Sequence, residues 1–393
     1  MNFFQAAAET GFGAFLAVYL TEQKWTQTSV GVALSIGTVS SLVTQLPGGM
    51  LVDAVHSRRA PIAGALGMVG GSALMLAAWP AVLPVWIALF LHALAGSILT
   101  PAIAALTLSI CGHAAFGERL GRNARYASLG SATAAAMLGF AANGSDRGVF
   151  LVTAALVVPG ILALFWIRPH QVDPEKDHPA LLHPKVRRQR QQRPWHIFFA
   201  RHLHIFAICV LLFHLSNAAM LPLALNLLAE HGQASGWLIS ACVTMPQILT
   251  AVLAPRVGWA AERWGRRPLL LMGFAALPAR GLLLVLLHGI AIPLVFIELL
   301  DGISGTVFGI MLPLVAADLT RRTGFLNLAI ASLGLAVSIG ATISTSMAGW
   351  VADHFGASAA FLVLTVCGGA AVLLVAVAMP ETRPARRAEP APA

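Results

Sequence analysis

The stretch GWAAERWGRRPLLL, Gly258–Leu271, sets Glu262, Arg263, Arg266 and Arg267 into one short segment between two apolar runs. Over all 393 residues, 58% are hydrophobic and only 10% are charged. Ordinary soluble domains carry about 25% charged residues, and a water-facing surface cannot be assembled from this set. The apolar residues also fall in long runs, the pattern of membrane-spanning helices. A soluble helical protein is therefore set aside. The charged stretch reads as a membrane-surface feature joining two spans.

Twelve apolar runs can be drawn, at roughly 2–21, 29–52, 60–79, 84–108, 126–142, 148–167, 203–228, 236–257, 268–288, 291–316, 328–350 and 359–379. A span needs about 20 residues to cross about 30 Å of hydrocarbon, and each run meets that within a few residues. The fifth is the shortest, and Pro101 interrupts the fourth. The first starts beside Met1 without a basic leader or a cleavage site. It reads as a retained helix, barely long enough to cross, and not as a signal peptide.

Lysine and arginine in the loops set the orientation. With the N-terminus in the cytoplasm, 22 of the 25 fall inside and two, Lys24 and Arg147, fall outside; Arg280 lies within a span. Both termini are therefore expected to be cytoplasmic. Basic loops facing anionic lipid account for the net charge of +9 without nucleic acid. All nine Trp lie near the ends of runs, where indole settles at the headgroup boundary. Cys111, Cys209, Cys242 and Cys367 lie in or beside spans and imply no disulfide. His202 and His204, two apart on a helix, do not share a face, and no CxxC or HExxH occurs. No metal, cofactor or enzyme chemistry is expected. No GxxxxGK[ST] loop is present, which leaves direct ATP use unsupported.

The only long polar stretch, RPHQVDPEKDHPALLHPKVRRQRQQRPW, Arg168–Trp195, lies between the sixth and seventh runs. It divides the chain into a bundle at 1–167, a cytoplasmic linker at 168–201, a second bundle at 202–380 and a cytoplasmic tail at 381–393. The halves repeat each other. At an offset of 209 residues, Asp53 falls on Glu262, Arg58 on Arg267, and LHALAGS (Leu91–Ser97) on LDGISGT (Leu300–Thr306).

GWAAERWGRRP resembles the G-x-x-x-[DE]-R-x-G-R-R signature of the major facilitator superfamily, found between its second and third and its eighth and ninth helices. GGMLVDAVHSRR, Gly48–Arg59, is a degraded copy at the first of those places. The resemblance covers the whole chain. It implies an all-α membrane protein of twelve spans, with two six-helix bundles around a cavity that opens alternately to each side. It also implies that the signature residues form a charged latch closing the cytoplasmic side in the outward-facing state. In the first half these are Gly49, Asp53, Arg58 and Arg59. In the second they are Gly258, Glu262, Arg263, Gly265, Arg266 and Arg267, with Asp318 as a partner at the end of the tenth run. The glycine is expected to permit a tight turn where two helices meet. Ala54, Ser57 and Ser109 stand where the second half has Arg263, Arg266 and Asp318, so the full relay is expected in the second half alone. Plain lipid anchoring of the arginines is the alternative, but anchoring does not need the Gly and Glu spacing.

Polar and ionisable residues inside spans are costly and point to function. Glu9 lies in the first run, His92 in the fourth, His214 and Asn217 in the seventh, and Glu298 and Asp301 in the tenth. In the resembling family these four runs line the cavity. The scaffold runs hold only Arg280 and His288. Asp301, near mid-membrane and repeat-equivalent to His92, is expected to face it and to couple protons; Glu298 would share the proton or bind a cationic substrate group. A satisfied interhelical hydrogen bond is the alternative for each. The expectation is a monomeric secondary active transporter of the bacterial inner membrane, whose partners are a small-molecule substrate, protons and the lipid bilayer. Proton-coupled efflux of a small organic molecule stands ahead of uptake of a nutrient or metal chelate. Gly130 and Gly139 keep the spacing of a drug–proton antiporter motif, although FAANGS (Phe140–Ser145) lacks its proline. A non-transporting sensor on the same fold is the reading from another class.

Overall fold

The computed structural model describes residues 1–12, 16, 19–20, 23–25, 27–55, 57–144, 147–167, 172, 201–230, 236–287, 290–321 and 323–383. Most of the expected linker, His288 and residues 384–393 lie outside the described residues. The helices are α1 (Asn2–Thr10), α2 (Gln27–Ala54), α3 (Ala60–Ala78), α4 (Val82–Cys111), α5 (Phe116–Gly144) and α6 (Gly148–Phe165). After the linker come α7 (Arg201–Asn217), α8 (Met220–Glu230), α9 (Gly236–Trp264), α10 (Arg266–Leu287), α11 (Ala291–Thr320), α12 (Leu326–Phe355) and α13 (Ala357–Ala378).

From the second on, the apolar runs are found as helices, with three instructive differences; within the first, α1 covers Asn2–Thr10 and the rest lies largely outside the described residues. Pro101 does not interrupt α4, which is continuous over 30 residues; spans tolerate proline because neighbouring groups re-satisfy the freed carbonyl. The fifth helix begins ten residues before its apolar run, because the polar turns from Phe116 to Arg125 are helical too. The seventh run is two helices, α7 and α8, parted at Ala218 and Ala219 just before Pro222. The Ala219 N–H freed at that break donates to Ser344 Oγ at 3.1 Å.

Among the described residues, eight segments are long and apolar enough to cross a membrane by length and composition, with Arg201–Leu228 counted as one. The long helices α2, α5 and α9 fall outside that set, and they pack at the junction of the halves, α2 on α12 and α5 on α9. The outward faces are apolar: Val366 is 70% and Val377 77% exposed, as suits contact with lipid. Burial also distinguishes the two ends of the molecule. At the end that carries both signature stretches, one buried cluster joins the halves, with Ala104, Leu108, Phe116 and Leu120 packed among Ala254, Ala261, Leu312 and Leu326. The first half also has a cluster of its own, running from Val52 beside Asp53 to Leu20 and Leu76, and the second a separate one around Leu228 and Leu294. The halves are thus packed together at the signature end.

Candidate functional site

The two signature acids do the same thing on opposite sides. Asp53, at the end of α2, accepts from the Leu328 backbone N–H at 3.0 Å and from Asn327 Nδ2 at 2.7 Å, in the first turn of α12. Glu262, near the end of α9, accepts from the Gly117 backbone N–H at 2.9 Å, in the first turn of α5. First-turn N–H groups have no partner within their helix and carry the positive end of its dipole, which favours a carboxylate. Each half therefore caps a helix of the other.

The signature glycines make those approaches close. A Cβ on Gly258 would lie 2.3 Å from the Gly117 carbonyl oxygen and 3.1 Å from Gly121 Cα; one on Gly49 would lie 2.7 Å from the Asn327 carbonyl oxygen. Gly258 sits inside α9 and Gly49 inside α2, so the expected turn at Gly258 is corrected. Its role is helix crossing. The turn falls at Gly265, whose φ of +105° favours glycine.

The arginines divide among several partners. Arg266, only 1% exposed, donates from Nε to Asp318 Oδ2 at 2.9 Å and from Nη1 to Glu262 Oε2 at 3.2 Å and the Ala261 carbonyl at 2.6 Å. This is a buried network rather than a surface one, so breaking it costs more than an exposed ion pair would. Arg263 lies over the Trp259 ring at 5.1 Å. Arg267 donates to the Ala376 carbonyl of α13, and Arg59 donates to the Ile167 carbonyl at 2.7 Å. Arg58 lies in the turn between α2 and α3. The segment after α13 joins the network: Glu381 accepts from the backbone N–H groups of Arg266 at 2.9 Å and Arg267 at 3.1 Å, and Arg383 Nη1 donates to the Arg263 carbonyl at 2.6 Å. Burial by itself would raise the Glu381 carboxyl, but the N–H groups of Arg266, Arg383 and Arg267 outweigh it and hold the pKa below the usual carboxylate range. This tie is in place at neutral pH and is lost only as pH falls through that lowered value.

A second charged cluster lies deep in the second half. Arg280 Nη2 donates to Glu298 Oε1 and Oε2 at 2.8 and 2.7 Å, and Nη1 donates to Asp301 Oδ1 at 2.9 Å and Asn217 Oδ1 at 2.6 Å. Glu298 is fully buried, whereas the Asp301 side chain is 27% exposed. Sequence reasoning treated Arg280 as a scaffold residue, and the structure makes it the hub. Asp301 and Glu298 are engaged by that arginine, and no bond joins Asp301 to His92.

Between the halves, next to the signature end, lies a cavity of about 580 Å³, lined from α1, α2, α4, α5, α11 and α12. Of the six cavity candidates named from sequence, His92 lines it, stacked on Phe12 at 3.8 Å between ring centres. Glu9 sits behind the lining and accepts from Gln5 Nε2 at 2.5 Å. His214 lies behind Phe308, its ring 4.7 Å from that of Phe308, which lines the cavity. Asn217, Glu298 and Asp301 belong to the Arg280 cluster. Sequence reasoning missed Gly117 and Gly121, although their Gly-x-x-x-Gly spacing is the usual sign of close helix packing in membranes. Glu381 had no sequence signal.

The family model described as Major Facilitator Superfamily matches residues 1–223 and 206–392. An uncharacterized MFS-type transporter of Mycobacterium tuberculosis is 36% identical over 390 residues, which is 97% of this chain and 92% of that protein. A Multidrug resistance protein B homolog of the same organism is 30% identical over 137 residues, 34% of this chain and 25% of that protein. Among solved structures, the proton:xylose symporter XylE superposes with a TM-score of 0.74 at 13% identity, covering 97% of this chain and 96% of that one.

Proposed function

The chain belongs to the major facilitator superfamily of multi-pass membrane transporters, and on that premise we propose a secondary active transporter that exports a small organic molecule in exchange for protons. The observation that carries the reading is the reciprocal capping at the signature end. Asp53 and Glu262 each hold a helix of the opposite half by backbone N–H groups. Such contacts break as a set when the halves separate, which is what a gate requires. A static sensor has no use for two of them. In this reading the bundles span 1–167 and 202–380, both termini are cytoplasmic, the protein acts as a monomer in a bacterial inner membrane, and the signature residues close its cytoplasmic side.

The Arg280 cluster supports proton coupling. One guanidinium facing two carboxylates carries a net charge of minus one, and one added proton neutralises it. Asp301 is the more accessible acid and the natural port for that proton. It also lies seven residues before Phe308 on α11, two helical turns away on the same face, so protonation there can be felt at the cavity wall. Efflux is placed ahead of import because one relative is a multidrug resistance protein homolog, over the third of this chain that it matches.

The test is accumulation in proteoliposomes under an imposed pH gradient, with a mixture of small organic molecules outside and the contents read by mass spectrometry. The wild type should concentrate at least one of them. Asp301→Asn should abolish concentration against a gradient while leaving exchange measurable. That variant retains a neutral Arg280–Glu298 pair and should fold. If Asp301→Asn still concentrates solute, Asp301 is structural; if the wild type moves nothing, the sensor reading takes precedence.

A further inference from the structure

We propose that the cavity takes an uncharged, two-sided molecule, with hydrogen-bonding groups along one edge and an apolar face on the other. This deepens the transporter reading and rests on it. Among the described residues that line the cavity, none is Asp, Glu, Lys or Arg. The nearby charges are held one layer back: Glu9 behind Gln5, and the Arg280 cluster two turns along α11 from Phe308.

The lining is divided by half. Every polar side chain but Ser338 comes from the first half, among them Gln5, Gln45, Asn123, Ser41, His92 and Thr100, set beside the apolar Ile103 and Leu120 of the same half. Across from them, the second half presents Phe308, Leu312, Pro313, Ile330 and Val337, with Ser338 as its one hydroxyl. Asn123 Nδ2 donates to Thr107 Oγ1 at 2.9 Å. The Thr107 hydroxyl itself donates to the Ile103 carbonyl, so it can only accept from Asn123. That fixes the amide with its nitrogen on Thr107 and leaves its oxygen for another partner. Gln45 is laid over Gly334, where a Cβ would come within 1.9 Å of Nε2. A charged ligand entering this space would lose its hydration without gaining a counter-charge, which is a steep penalty. A neutral ligand can exchange water for amide and hydroxyl partners and bury its apolar face against the second half.

The test uses purified full-length protein and a matched library of aryl-alkyl amides, with the corresponding amines and carboxylic acids, read by thermal shift. Amides should raise Tm, and amines and acids should bind about tenfold or more weakly. Gly334→Ala, which displaces the Gln45 amide, should shrink the amide response without moving the Tm of the unliganded protein by more than a few degrees. Amines or acids that stabilise as well as the amides would overturn the proposal, and so would a flat response to all three sets. Transport is scored separately: an amide that binds but is never carried supports the ligand class and contradicts the transporter, whereas carriage of a charged congener alone does the reverse.

Discussion

Arg280→Met is expected to destabilise the folded protein by about 3–5 kcal/mol, the usual cost of removing one partner from a buried ion pair. Both acids are left without their cation. Glu298 is fully buried, so its carboxylate has neither water nor the guanidinium, and it either takes up a proton or forces the helices apart. The expected readouts are a sharp fall in folded, membrane-inserted protein and no transport. Adding Glu298→Gln and Asp301→Asn to Arg280→Met removes the uncompensated charge and should recover much of the stability. Transport should stay absent, because no titratable group remains in the cluster. Recovery of both would place proton coupling elsewhere, with Glu9 and His92 the next groups to examine. An Arg280→Met protein that folds and transports normally would remove the cluster from the mechanism.

Gly258→Leu is expected to abolish transport while leaving the protein folded and inserted. The added Cβ meets backbone, the Gly117 carbonyl oxygen at 2.3 Å and Gly121 Cα at 3.1 Å, so no change of rotamer relieves it. Helices α5 and α9 must move apart, and the Glu262 bond to the Gly117 N–H is lost with them. Overpacking typically costs about 1–3 kcal/mol, which lowers the population closed at the signature end by roughly five- to 150-fold. The substitution removes no apolar surface from any helix, so expression and thermal stability should change far less than flux. Normal flux in Gly258→Leu would reduce the signature to a lipid anchor.

Much of this arrangement was legible in the residues. The pairing of Asp53 with Glu262 across the repeat follows from their spacing, and the structure gives the two acids equivalent partners in opposite halves. The partners themselves were not legible, because the polar turns that open α5 and α12 lie outside or at the edge of apolar runs and read as loop. Gly258 was visible as a constrained position, but its place within α9 was not, since a run of hydropathy ends before the helix does. Arg280 was misjudged for a different reason. Nearly every position around α10 is apolar, so its sequence carries no periodicity to say which face turns inward, and only packing shows that its arginine reaches α7 and α11. Glu381 lies beyond the last span, where nothing in the local sequence announces that the chain folds back onto the start of α10.

Alternating access requires the two halves to separate and rejoin at the signature end. It is tested most directly by a distance distribution between spin labels at Ala115, just before α5, and Trp264, at the end of α9, in protein held in lipid nanodiscs. Ala115 and Trp264 are both exposed and belong to opposite halves. Two populations are expected, a short distance matching this structure and a longer one, with their ratio shifting between acidic and neutral pH and moving strongly to the long distance in Gly258→Leu. A single short distance under every condition and in the variant would contradict alternating access.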